Sequence, residues 1–371
     1  MRRVCFLQED ITAQEIVPFL KKDVVYYVAN NILPANDEDI YILSQEYQKV
    51  WNIENAVVYE EILLEFTRYA ETMLWRNWDY FYLKRAIRAG KTECVDTIVV
   101  GNSYACFGID ALKMQKTINC ALPSQDLYFA EKIIHDICDN NKQIKNVIIG
   151  GGYYLFHSDL SRTRNKSEIS RIAKVYAPIY GDWHNCLIWP NNEYEVAKSD
   201  IFDIEKIIDS IYVESEPEIT YFGKWNGNRI KNQTKVWEEK SRNWQEFSEI
   251  QKKEIGKERA YAHNKCISRK ATYRENIRIL KSIEAYLQKK NIHMIMVVFP
   301  ATAYYRNGAD TRFKDFYYEA LENIESIVHV VDCYDVDIFQ NEDFADTDHL
   351  DDKGAEKMTY IVKELIKELH G

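Results

Sequence analysis

Short, continuously apolar runs alternate with amphipathic stretches from Asp96 onward. Thr97-Ile98-Val99-Val100 runs into Gly101, and Lys145-Asn146-Val147-Ile148-Ile149 runs into Gly150-Gly151-Gly152. Ile292-His293-Met294-Ile295-Met296-Val297-Val298-Phe299 stops at Pro300, and Ile327-Val328-His329-Val330-Val331-Asp332 is a fourth such run. Runs this short without polar alternation predict strands buried on both faces. Between and after them, Ile277, Leu280, Ile283 and Leu287, then Ile361, Leu365, Ile366 and Leu369, recur at helical spacing. Strands alternating with helices predict an α/β fold, a three-layer sandwich with a mostly parallel sheet and helices on both faces. In such sheets ligand chemistry gathers beyond the carboxyl ends of the strands.

The flanking regions have a different texture. Residues 1–93 read as a helical N-terminal segment: Glu61 to Ala70 carries apolar residues at helical spacing, and Trp75, Trp78, Tyr80, Phe81, Tyr82 and Leu83 extend an apolar face. Residues 94–371 read as the α/β domain, with an insertion at about 190–270 that is rich in charge and holds Trp225, Trp237 and Trp244. This insertion reads as a cap over the substrate side, or as solvated helices.

Composition narrows the classes of function. A chain of 371 residues with 46% hydrophobic and 29% charged positions has ample material for a buried core. Its 13 Gly and 7 Pro are too few for a low-complexity or disordered chain. A formal net charge of -10 leaves no excess of Lys and Arg to neutralise phosphates, so nucleic acid is not an expected partner. The eight cysteines are scattered, with no C-x-x-C pair, which argues against a disulfide framework or a zinc site. No stretch approaches the roughly 20 apolar residues of a membrane span. The apolar run after Met1 is broken by Gln8, Glu9 and Asp10, too short for a signal peptide, so the expected location is the cytoplasm. The sequons at Asn165 and Asn232 would matter only on secretion. There is no Walker loop, no G-x-G-x-x-G after a strand and no metal spacing among the histidines, so neither cofactor nor metal is expected.

Two strand ends carry candidate chemistry. In Gly101-Asn102-Ser103-Tyr104, Ser103 stands two residues beyond a buried strand, where a helix opens. There its hydroxyl can act as a nucleophile beside helix N-terminal amides, or it can serve as the helix cap. In Asp346-Thr347-Asp348-His349-Leu350, an Asp three residues before a His can bend back to hold one ring nitrogen, leaving the other free as a base. The same loop can equally be a solvated cap, with Asp351 or Asp352 starting the last helix. After the third predicted strand, Tyr304 and Tyr305 can stack on a sugar ring and Arg306 can meet a carboxylate or phosphate, or all three can be loop packing.

Together, Gly101-Asn102-Ser103, Asp346-Thr347-Asp348-His349-Leu350 with Gly354, and the order of elements between them make residues from about 95 to 371 resemble the SGNH (GDSL-type) hydrolases. More narrowly they resemble the branch that acylates bacterial surface polysaccharides, the alginate and teichoic-acid acylation proteins. The resemblance implies a nucleophilic Ser103, a base His349 and an orienting Asp346. The family's first motif has Asp where this chain has Asn102. Its second motif supplies an oxyanion amide from a glycine, matched here by Ser124. Its third motif has an Asn where this chain has Tyr153, after Gly150-Gly151-Gly152, so the Tyr153 hydroxyl or the Gly152 amide is the expected donor. The implied activity is a serine esterase or O-acyltransferase working through an acyl-enzyme on an acylated glycan or small ester, with partners in a polysaccharide biosynthesis pathway. The alternatives are a non-catalytic carbohydrate-binding relative and a scaffold of cell-surface biosynthesis.

Overall fold

The computed structural model describes residues 3–14, 17, 26–30, 39–51, 53, 56–61, 75–92, 94–163, 171–186, 244–324 and 328–371. The periodic stretch at 62–70, both sequons, and Trp225 and Trp237 lie outside them. The chain divides into two compact units, Met1–Phe81 with Ser170–Gly223, and Tyr82–Ile169 with Lys224–Gly371.

The first unit is not the helical segment that the sequence suggests. It holds four parallel strands, β1 Arg3–Leu7, β2 Tyr26–Ala29, β3 Asp39–Leu43 and β4 Ala56–Val58, in the order β2-β1-β3-β4. Cys5, Leu7, Tyr41 and Leu43 form a core on one face of this sheet. Helix α1, Gln45–Trp51, follows β3. The buried Asp10 joins two strand ends, accepting from the Ala13 amide at 3.1 Å and the Ser44 amide at 2.7 Å. Polar residues bound these strands closely, as Arg3 and Gln8 bound β1 and Asp39 and Ser44 bound β3, so the aromatic-rich helical pattern nearby outweighs them. That pattern does become helix α2, Trp75–Thr92.

The second unit is an α/β fold. Strands β5 Thr97–Gly101, β6 Thr117–Asn119, β7 Asn146–Gly151, β8 His293–Val298 and β9 His329–Asp332 form an all-parallel sheet in the order β6-β5-β7-β8-β9. Four of them are the predicted runs. The three-residue edge strand β6 has no apolar run to announce it. Side chains alternate between the faces of the sheet. Val99, Ile148, Ile295 and Val297 meet Phe107 of helix α3, Ser103–Gly108, and Met358 and Val362 of the C-terminal helix, Asp352–His370. On the opposite face lie helices α4, Leu127–Asn140, and α5, Lys270–Lys289, which pack against each other and bury Ile133, Ile137, Leu280, Ile283 and Leu287. Sheet and two helical layers make a three-layer sandwich.

The region expected as a cap at 190–270 is described only from Trp244. Glu249–Asn264 forms a regular helix, opened by a Ser248–Gln251 capping box. Its buried Gly256 lets it press on Tyr304: a Cβ there would lie 2.5 Å from Tyr304 backbone atoms. Trp244 is buried beneath Tyr304 and Phe247, so it is core and presents no ring for stacking on a sugar.

Gly101 ends β5 with φ +130, and a Cβ on it would meet the Gly150 carbonyl oxygen at 2.0 Å. Gly101→Ala should therefore lose stability both by backbone strain, about 1–3 kcal/mol, and by forcing β5 from β7. A urea midpoint equal to that of the parent would contradict this account.

Candidate active site

The Ser103 turn is built by its neighbours. Gly101 redirects the chain, the Asn102 amide donates to the Gly150 carbonyl at 3.3 Å, and the Asn102 Oδ1 caps α3 by accepting from the Tyr104 amide at 3.1 Å. Asn102, not Ser103, is thus the helix cap. Asn can perform that service as well as Asp, so the turn forms with Asn at this position. Ser103 becomes the first helical residue, with its own N–H among those that an α-helix leaves without an intrahelical partner. The Asn102 Nδ2 is buried with no hydrogen-bond partner.

The His349 turn is equally rigid. The Asp346 Oδ1 accepts from the amides of Asp348 and His349, both at 2.8 Å. The loop is closed by an antiparallel bridge between Phe344 and Leu350 and by the Thr302 hydroxyl donating to the Thr347 carbonyl at 2.7 Å. Within this frame the His349 Nδ1 lies 2.9 Å from the Asp346 Oδ2, and its Nε2 lies 2.8 Å from the Ser103 Oγ. Ser103, His349 and Asp346 form one continuous hydrogen-bonded chain. The imidazole is packed between Tyr104 and Phe107, with ring centroids 5.2 and 5.6 Å away, and its side chain is only 3% exposed. The exposed loop that a solvated cap would give is not what forms.

Around this chain lies a second group that the sequence did not announce. Asp348 is 1% exposed and receives the Tyr104 hydroxyl at 2.7 Å and the Arg259 Nε at 2.9 Å. Its Oδ1 stands 3.6 Å from the His349 Nδ1. Burial and the Asp348 charge push the Tyr104 hydroxyl pKa well up, so it stays a donor. Arg259 and Asp348 are 89 residues apart, and no local pattern could have paired them.

Electrostatics keep the His–Asp pair polarised. Burial would lower the His349 pKa, but the Asp346 and Asp348 charges and the Asp346 hydrogen bond outweigh burial and Arg259, and the net shift is upward. Burial would raise that of Asp346, yet His349, by charge and hydrogen bond, with Arg259, brings it down to about 2. Asp346, Asp348 and His349 also bring ligand atoms within 4.8 Å of one another. Asp346 already accepts from two loop amides and meets the His349 Nδ1, Asp348 accepts from Tyr104 and Arg259, and a dication would stand against the guanidinium charge.

Ser103 lines a cavity of about 760 Å³, with Asn102, Ser124, Tyr154 and Arg259 also in its wall. Ser124 has φ +59, a left-handed conformation that glycine adopts without strain. The other expected residues lie elsewhere. Gly152 and Tyr153 line a separate cavity of about 20 Å³. The Tyr153 hydroxyl donates to Asp332 at 2.5 Å, as does that of Tyr318, so it is not turned towards Ser103. This corrects its expected place in the oxyanion hole. Tyr304, Tyr305 and Arg306 do not line the Ser103 cavity either. Tyr304 donates to Glu249, Tyr305 pairs its hydroxyl with the His263 Nδ1 at 2.6 Å, and Arg306 holds the Ala301 carbonyl at 2.5 Å. All three are packing.

No family model matches the chain, and no curated protein matches it. Among solved structures it is similar to one described as "a putative platelet activating factor from Streptococcus pneumonia". That similarity has 9% identity and a TM-score of 0.39, covering 79% of this chain and 97% of the other. A likeness of this degree supports no inference about function. Among the described residues no helix is long and apolar enough to cross a membrane.

The paired shifts set a sign for pH. A raised His349 pKa contributes stability that is complete below its unfolded value of about 6.5 and is lost as pH rises through the folded value. The lowered Asp346 pKa contributes stability that is present above an unfolded value of about 4 and is lost as pH falls towards the folded one. The stability gap between parent and Asp346→Asn should therefore be widest between about pH 4 and 6.5 and narrow on either side. An NMR titration should place the His349 ring above an ordinary histidine in the parent and lower in the variant. Identical titrations would show that the pair is not coupled.

Proposed function

We propose that the protein is a serine esterase or O-acyltransferase of the SGNH type, with Ser103 as nucleophile, His349 as general base and Asp346 as the orienting acid. One observation carries this reading: the unbroken hydrogen-bonded run from the Ser103 Oγ through both ring nitrogens of His349 to Asp346.

In the first step the Ser103 Oγ attacks the acyl carbonyl carbon while its proton passes to the His349 Nε2. Asp346 accepts the Nδ1–H bond, fixes the tautomer and stabilises the imidazolium that forms. The oxyanion develops beside the Ser103 N–H at the start of α3, with Asn102 and Ser124 in the same cavity wall. Collapse expels the alcohol, which takes the proton from His349, and leaves an acyl-Ser103 ester. Water or a sugar hydroxyl then attacks that ester with the same base assistance. Hydrolysis and transfer thus share every protein group and differ only in the second nucleophile. The alternative of a glycan-binding protein without turnover gains nothing from Trp244, which is buried.

A fluorophosphonate should label the parent at Ser103 and leave Ser103→Ala unlabelled. Because His349 is buried between aromatic rings, His349→Ala would also cost stability, and His349→Gln is the cleaner variant. On p-nitrophenyl acetate it should lower kcat on the order of 10²–10⁴-fold. Turnover unchanged in His349→Gln would sink the triad.

Tyr153→Phe separates the phenol from the catalytic site. With its hydroxyl engaged by Asp332, the variant should keep kcat within about threefold. Loss of a true oxyanion donor costs on the order of 10²–10³-fold. A loss of that size would return the phenol to the oxyanion hole.

A further inference from the structure

The wall of the Ser103 cavity is cationic, although the whole chain carries a net charge of -10. Arg162, Arg259, Lys265 and Arg269 line it, and Asp159 is the only carboxylate in that lining. The partners of these cations show which charges are available. Arg162 is spent: its Nε lies 3.2 Å from Asp159 and its Nη2 lies 2.8 Å from Glu275. Arg259 is held differently. Both of its contacts to Asp348 are made by Nε, at 3.2 and 2.9 Å, and its two terminal amino groups have no hydrogen-bond partner among the described residues. One edge of the guanidinium is anchored beside the His349 pair, and the other edge is unclaimed. Lys265 rests its ammonium 4.7 Å from the Tyr261 ring centroid, and among the described residues neither it nor Arg269 has a carboxylate within ion-pair distance.

The Arg259 side chain is 38% exposed, so its unclaimed donors face the cavity and are open to a ligand. A guanidinium oriented by a buried carboxylate presents its remaining donors in a planar fork suited to carboxylate or phosphate oxygens. The other groups of the lining are largely neutral. Ser124, Ser158 and Ser268 offer hydroxyls, and burial together with Arg259 lowers the His263 pKa to about 3, so that ring adds no charge.

We propose that the Ser103 cavity selects an ester bearing a negative charge, a carboxylate or phosphate near the acyl group, which Arg259 receives through its free edge and Lys265 and Arg269 draw in. This rests on the esterase or acyltransferase reading above and names its substrate class.

Two matched pairs of ester probes test it and locate the charge. On the acyl side, 4-nitrophenyl hemisuccinate is compared with 4-nitrophenyl butyrate; on the alcohol side, 4-acetoxybenzoate is compared with phenyl acetate. In the parent, at least one anionic probe should exceed its neutral twin in kcat/KM by tenfold or more. That ratio should fall about tenfold in Lys265→Ala/Arg269→Ala and in 0.5 M salt, because exposed charges are screened. The double variant removes exposed or part-exposed side chains, so it leaves the buried Asp348 paired. Neutral probes turned over with ratios near one in both pairs would overturn the anion preference and leave the esterase reading standing. If neither probe of either pair is turned over and fluorophosphonate does not label Ser103, the esterase reading fails, and binding decides the anion site. In that case the non-hydrolysable anilide of succinic acid is titrated by calorimetry against the anilide of butyric acid. Tighter binding of the charged anilide, lost in the double variant, supports the site, and equal binding overturns it.

Discussion

Ser103 and His349 stand 246 residues apart in sequence and 2.8 Å apart in space, and their meeting depends on how closely α3 lies on the sheet. A Cβ on Gly101 would strike the Gly150 carbonyl, one on Gly150 would meet the Ala105 Cβ at 2.7 Å, and one on Gly108 would reach the Phe299 ring at 2.3 Å. The missing side chain at Gly101 lets β5 approach β7, and those at Gly150 and Gly108 seat a six-residue helix against β7 and against Phe299 just beyond β8. A helix this short gains little from its own hydrogen bonds, so packing and the Asn102 cap hold it. Had it been lifted by one methyl thickness, the serine would have lost the imidazole.

The histidine side meets the opposite difficulty, since a buried imidazole must be polarised without unfolding the loop that carries it. Two carboxylates approach one ring nitrogen, which unaided would repel each other. The structure assigns them different duties. Asp346 faces the ring and the loop amides, while Asp348 is neutralised by Arg259 and the Tyr104 hydroxyl. Distinct partners for each carboxylate offset their mutual repulsion. Arg259 thus steadies the triad from behind while keeping donors to spare.

Much of this was legible from residue order, and the reasons for the rest are specific. The runs of β5, β7 and β8 could be read because a buried parallel strand leaves few polar positions to obscure it. Strand β9 is equally apolar in sequence but is an edge strand with Val330 exposed, not buried on both faces as its run predicts. Ser103 and the Asp346–His349 turn could be read because each is a local pattern at a strand end. The first sheet could not, because strands as short as Ala56–Val58 carry fewer apolar residues than one helical turn of noise. Tyr153 was misplaced for a subtler reason. Position in a motif fixes where a backbone goes, but the phenol extends far enough to choose another partner, and Asp332 at the end of β9 offered a carboxylate. Tyr304, Tyr305 and Arg306 follow a strand end as binding residues often do, yet the helix that begins at Glu249 covers them. That helix has a weak amphipathic pattern and sits beside the stretch read as an insertion, so its contacts were invisible before folding.

Net charge was the least informative quantity of all. It describes the surface as a whole, whereas recognition in a cavity depends on the few charges whose partners leave part of them unspent. Glu275 and Asp159 consume Arg162, and Asp348 consumes only one edge of Arg259. The difference lies in geometry: two carboxylates embrace the first guanidinium from both ends, and a single buried one grips the second by its Nε. An acidic chain can therefore keep a cationic site without conflict. At an ionic strength of 0.15 M charges more than about 8 Å away are largely screened, so a distant acidic surface contributes little to what Arg259 meets.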